Sequence, residues 1–165
     1  MFAGLVFAAI VFAAASSGAL FKPDDWYFAL RKPSWTPPPI AFPIVWSVLY
    51  IAIAVAGWLV WREAGVSAAL VAWGLQIVLN AAWSWLFFGL RRVGVAFAEV
   101  IALLASIVAF IVLAQPVSSA AALLFLPYLV WVATAAALNL RILQLNPRSW
   151  RQNVGRSAIK GETVV

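Results

Sequence analysis

Five apolar runs separated by short polar breaks set the pattern of this chain. They cover Phe2 to Phe21, Phe42 to Trp61, Val66 to Leu90, Val93 to Ala114 and Ser119 to Leu143. A helix needs about 20 mostly apolar residues to cross the hydrocarbon of a bilayer. The pattern therefore predicts an all-α membrane protein, a bundle of five transmembrane helices over residues 1–145. The breaks differ in kind. Residues 22–41 form a long, charged, proline-rich loop containing "KPSWTPPP", which cannot continue a helix. Arg62-Glu63-Ala64-Gly65 is a short charged turn, and Leu90-Arg91-Arg92-Val93-Gly94 a basic one. In Gln115-Pro116-Val117-Ser118-Ser119 the proline stops the fourth helix, and Ser118 or Ser119 can cap the fifth. Residues 146–165 read as a basic tail.

Composition agrees. Hydrophobic residues make up 66% of the chain and charged ones 10%, with a mean hydropathy of +1.02. Soluble domains carry about 25% charged and about 45–50% apolar residues, so the bilayer must be the solvent. The first run lacks a basic leader and exceeds the roughly 7–15 apolar residues of a cleaved signal, so it is read as a retained span. The chain has no Cys and no His, and only five acids. Thiolate chemistry and a histidine base are thereby excluded, the five acids leave little for a carboxylate metal site, and no catalytic residue, metal or cofactor is assigned.

The net charge of +6 does not point to nucleic acid, because the basic residues flank the spans and form no stripe on a soluble surface. With five spans the two ends lie on opposite sides. Ten of the eleven basic residues then share one side: Lys22, Arg31, Lys32, Arg91, Arg92, Arg141, Arg148, Arg151, Arg156 and Lys160. The positive-inside rule makes that side, with the proline-rich loop and the carboxyl terminus, cytoplasmic.

Polar side chains within spans are costly unless they face a partner or a cavity. On the third span Gln76, Asn80, Trp83 and Phe87 recur at i, i+4, i+7 and i+11, which is one helix face. On the fifth, Tyr128, Trp131, Ala135 and Asn139 share a face, and on the second Trp46 and Tyr50 lie one turn apart. Trp58, Trp61, Trp73 and Trp150 read as interfacial anchors. Asn80 and Asn139 fit two roles equally, hydrogen bonds between helices or contacts to a ligand. Glu99 is expected at the interface, compensated by Arg91 or Arg92. Three aromatic stripes with few polar groups suggest a cavity for a flat, largely apolar ligand, with the stiff proline loop as its lid.

The segments "GALFKPDDWYFALRKPSWTPPP", "FPIVWSVLY", "QIVLNAAWSWLFFG" and "LPYLVWVATAAALN" run in order over about residues 18 to 139. In them the chain resembles the translocator protein family, the tryptophan-rich sensory proteins of bacteria and the peripheral benzodiazepine receptor of mitochondria. The resemblance implies a homodimeric five-helix bundle binding porphyrins, haem, sterols and isoquinoline or benzodiazepine drugs. It implies a lid carrying Trp26, Tyr27, Trp35 and Pro37, over a pocket lined by Trp46, Tyr50, Asn80, Trp83, Trp131 and Ala135. Leu140 stands where the sterol motif of animal members has tyrosine, which favours a tetrapyrrole role, transport or sensing. A light-dependent degradation of protoporphyrin would use Trp46, Trp83 or Trp131, and a purely structural adaptor would use the stripes only as helix contacts. Gly94 and the small-residue run "ALLASIVA" make the third or fourth span the candidate dimer face.

Overall fold

The computed structural model describes residues 2–147; the tail residues Arg148, Trp150, Arg151, Arg156 and Lys160 lie outside the described residues. Five helices or helix pairs are long and apolar enough to cross a membrane. The first is α1 (Phe2–Leu20). Pro23 disfavours helical backbone at Lys22 and keeps the chain from continuing. Asp24 then caps a short helix, α2 (Asp25–Ala29), by accepting a hydrogen bond from the Tyr27 amide at 3.2 Å. This helix lies within the segment expected to be loop throughout; the capping aspartate was the signal for it.

The second span, α3 (Ala41–Ala64), starts directly after the Pro37–Pro39 run and carries Pro43 in its first turn, where the missing amide costs little. It ends at Gly65, whose φ of +56° only glycine takes up without strain. Ser67 caps the third span, α4 (Ala68–Ser84), through the Leu70 amide. The last turn of that span is wider than expected. Trp85–Gly89 form a π-helical turn, in which the Leu90 amide reaches back to the Trp85 carbonyl at 2.8 Å. Arg91 follows with a φ of +55°. The fourth span, α5 (Val93–Ala114), has the expected ends. The fifth is two pieces, α6 (Ser119–Leu124) capped by Ser118, and α7 (Leu126–Leu145). Pro127 in the first turn of α7 has no amide to continue the ladder, and the helix is broken at Phe125.

Around the bundle α1 packs on α3, α3 on α6, α6 and α7 on α5, α5 on α4, and α4 back on α1. The larger core fills the half remote from the proline loop, around Ile53, Ala56, Val60, Ile107, Phe110 and Phe125. Trp73 belongs to it. Expected as an interfacial anchor, it is instead buried, donating its indole N–H to the Ile53 carbonyl at 2.8 Å. Gly57 makes room for it: a Cβ there would overlap the Trp73 ring and come within 2.9 Å of Phe7. A second cluster of Phe87, Val93, Ala96, Leu138 and Ile142 sits at the loop end, with Trp26, Tyr27, Leu30 and Phe42 packed over it.

Candidate functional site

The aromatic and polar stripes converge between α3, α4 and α7. On α3, Trp46 and Tyr50 stack with centroids 5.1 Å apart and planes 26° apart. The Tyr128 ring from α7 meets the edge of Trp46 at 6.1 Å. The Tyr50 hydroxyl donates to Asn80 Oδ1 at 3.3 Å, Asn80 Nδ2 donates to the Tyr128 oxygen at 3.0 Å, and the Tyr128 hydroxyl donates to Gln76 Oε1 at 3.1 Å. Three helices are thus tied by one chain of hydrogen bonds, in surroundings where each bond is strengthened by the scarcity of water. Tyr128 and Gln76 lay on the stripes but outside the expected pocket set; their full burial makes them its floor.

Nearer the loop, Trp83 stacks on Phe87 at 4.9 Å. Phe87 in turn meets Trp26 and Tyr27 of α2, each at 6.1 Å, and Phe88 meets Tyr27 at 5.3 Å. Phe87 and Phe88, neighbours in the π-helical turn, both reach this end, their ring centres 4.9 Å apart. A third group lies between the loop and α7. Pro37, Phe42, Trp131, Thr134, Ala135 and Leu138 surround a free space of about 10 Å³, room for roughly one water. Trp35 remains exposed on the loop. Of the ten expected site residues, Trp46, Tyr50 and Asn80 meet in the first group, Trp26, Tyr27 and Trp83 in the second, and Pro37, Trp131 and Ala135 in the third. The rings lie against one another, where an open cavity had been expected.

The loop is held at its start and near its middle. Asp24 accepts from Arg91 at 2.6 Å, and the Arg91 guanidinium lies 5.7 Å from the centre of the Trp26 ring. Loss of water works against the Asp24 charge, but the Tyr27 amide and Arg91 outweigh it and hold the carboxyl below its ordinary value of 3.8. Burial pushes the Tyr27 phenol up from 10.0. Near the middle of the loop Asn146, at the carboxyl end of α7, brackets the backbone of Arg31, accepting from its N–H at 3.0 Å and donating to its carbonyl at 2.9 Å. Lys32 folds back over Tyr27 with its ammonium 4.6 Å from the ring centre, and Thr36 closes the proline turn on the Pro33 carbonyl.

Of the single residues, Asn139 takes one of its two expected roles and Glu99 departs from its own. Asn139 donates to the Val93 carbonyl at 2.9 Å, a hydrogen bond between α7 and α5. Glu99 is not compensated by Arg91, because the turn at Arg91 aims that side chain at Asp24; both Glu99 oxygens are buried without a hydrogen-bond partner.

The TspO/MBR family model matches residues 5–145, which takes in all five spans and the loop. The chain belongs to the TspO/MBR family. It is 40% identical over 139 residues to protein CrtK of Rhodobacter capsulatus, covering 81% of this chain and 86% of that one. It is 37% identical over 142 residues to the tryptophan-rich sensory protein of Cereibacter sphaeroides, covering 86% and 90%. To the translocator protein of Homo sapiens it is 38% identical over 135 residues, covering 79% and 76%. Membership and the five apolar helices make this TspO/MBR protein a multi-pass membrane protein.

Proposed function

We propose that this protein binds a flat tetrapyrrole of the porphyrin or haem type beneath the loop between α1 and α3, and senses or moves it within the membrane. The observation that carries the reading is the hydrogen-bonded chain Tyr50–Asn80–Tyr128–Gln76, set among stacked rings from three helices under a proline-stiffened, doubly tethered cover. Stacked indole and phenol rings offer faces to a planar π-system, and the amide and hydroxyl groups offer it oriented polar contacts. Family relatives named for sensing and for translocation agree with such a role.

A ligand site of ordinary size occupies about 300–1,000 Å³, far more than the gap beside Trp131. Binding therefore requires Trp26 and Tyr27 to leave Phe87, and the loop to lift. The lid reading of residues 22–41 rests on this step. The one-sided distribution of basic residues supports a cytoplasmic loop, and the resemblance favours a homodimer.

Titration of the purified protein with protoporphyrin tests the reading through quenching of its tryptophan fluorescence. Saturable quenching is expected, with affinity lost when Trp46 and Trp83 are both replaced by alanine. Equal affinity in the double variant would remove the pocket from consideration.

A further inference from the structure

Inside the bundle a few polar atoms have no protein partner. Gln76 and Asn139 each leave one amide atom unanswered while using the other, and Trp83 leaves its indole N–H. Glu99 is different in kind. Its residue is only half-buried, yet both carboxyl oxygens are turned away from solvent and neither has a partner. An isolated carboxylate is among the costliest groups to hold in an apolar medium, and it persists there only when paired or protonated.

Among the described residues none supplies it with a cation. The elements packed most closely on α5 are α4, α6, α7 and the π-helical turn, and from α2 the Tyr27 ring packs over the cluster at its loop end. Neither α4, α6 nor the turn contains a charged or titratable residue. From α7 come Tyr128, held by Asn80 and Gln76, and Arg141, exposed and bonded to Gln144. On its own side Arg91 is engaged with Asp24, and Arg92 is exposed at the start of α5. Glu99 lies six residues into α5, about 9 Å along the axis. Because α4 runs antiparallel to α5, Trp83 comes to the same level on the neighbouring helix, with its donor unused.

We propose that Glu99 is a binding site for the ammonium group of a lipophilic amine, which enters from the bilayer and replaces a proton on the carboxyl. The carboxylate pairs with the ammonium, the apolar body of the amine lies among the rings of the bundle, and the Trp83 N–H is available to an ionised oxygen. The site shares Trp83 with the proposed tetrapyrrole pocket but does not rest on that reading; a protein that binds no porphyrin can still take the amine. Exchange of proton for cation also sets the pH dependence. While the unliganded carboxyl is protonated, each amine bound releases one proton, so affinity rises about tenfold per pH unit.

The test uses the full chain in nanodiscs of zwitterionic lipid, with naphthylmethylamine as probe and naphthylmethanol as its neutral counterpart. Between about pH 5 and 8 the amine keeps its charge, so a change in affinity reports the protein. Saturable amine binding that strengthens with pH is expected, with Glu99→Gln weakening it by about tenfold or more and leaving naphthylmethanol unchanged. Dicyclohexylcarbodiimide, which modifies protonated carboxyls in apolar sites, should label Glu99, and the amine should slow the labelling. Amine affinity equal in wild type and Glu99→Gln, or independent of pH, overturns the proposal. Should Glu99→Gln fail to fold, labelling of the wild-type protein decides: no protection by the amine overturns it equally.

Discussion

Replacing Asn146 with alanine should release the middle of the loop while leaving the bundle intact. The Asn146 amide is used fully: Oδ1 accepts from the Arg31 N–H, and Nδ2 donates to the carbonyls of Arg31 and Ile142. The contact with Ile142 is local to the last turn of α7, so among the described residues the two bonds to Arg31 are those that bear on the loop. A hydrogen bond contributes about 0.5–1.5 kcal/mol net. Two give about 1–3 kcal/mol, and their exposure places the pair at about 1–2 kcal/mol, a factor of about 5–30 in the population of the opened loop. Hydrogen exchange followed by mass spectrometry in nanodiscs reads this directly. Amides of residues 22–40 should exchange about 5–30 times faster, with those of α5 and the middle of α7 unchanged. Asn146→Asp, which keeps the acceptor and loses the donor, should give a smaller acceleration. Unaltered loop exchange in Asn146→Ala would refute the tether, and uniform acceleration across all spans would refute its locality.

The other predictions concern the same end of the molecule. Replacing Pro37 and Pro38 with glycine should weaken protoporphyrin binding by about 3–30-fold, since each proline removes about 0.4–1 kcal/mol of loop entropy; unchanged quenching titrations would make the loop a mere connector. The Asp24–Arg91 contact depends on an ionised carboxyl whose pKa is lowered, so its contribution is complete above about 3.8 and is lost as pH falls below that value. Loop exchange corrected for intrinsic rates should accordingly stay level from neutral to mildly acidic pH, and a loosening near neutrality would contradict it. Tyr128→Phe should cost about 1–3 kcal/mol, because Asn80 and Gln76 are left buried and unanswered, while Tyr50→Phe at the end of the chain should cost less. Thermal unfolding of the two variants gives the comparison.

The spans were legible because hydrophobic length and proline are local signals. Val93 to Ala114 could be read to the residue, and the cap at Ser118 from its place after Pro116. The break at Phe125 was also written in the chain, as Pro127 inside "LLFLPYL", but a continuous apolar run conceals it. The π-helical turn was not legible, since nothing in "WLFFG" distinguishes it from an ordinary last turn. From it followed the misassigned partner of Glu99: side-chain spacing suggested Arg91 or Arg92, whereas the φ of +55° sends Arg91 to Asp24. Trp73 was misread because proximity to a span end says nothing about which way a ring faces; Gly57, sixteen residues earlier, was the only hint of space for it. The site stripes emerged from helical periodicity, but their closure on one another depends on the tertiary pairing of rings.

The locking of Trp73 against Gly57 and Ile53 bears on direction of travel. The half of the bundle remote from the loop is closed by fully buried Ile53, Ala56, Val60, Ile107 and Phe110, with an indole wedged across α3 and α4. The other half is held by exposed, reversible tethers. On the proposed reading such a molecule has a doorway and a back wall, and the described residues leave no corridor along its axis. A guest admitted under the loop would then leave by the same leaflet, and net movement of cargo would need a partner at that face or a path along the outside of the helices.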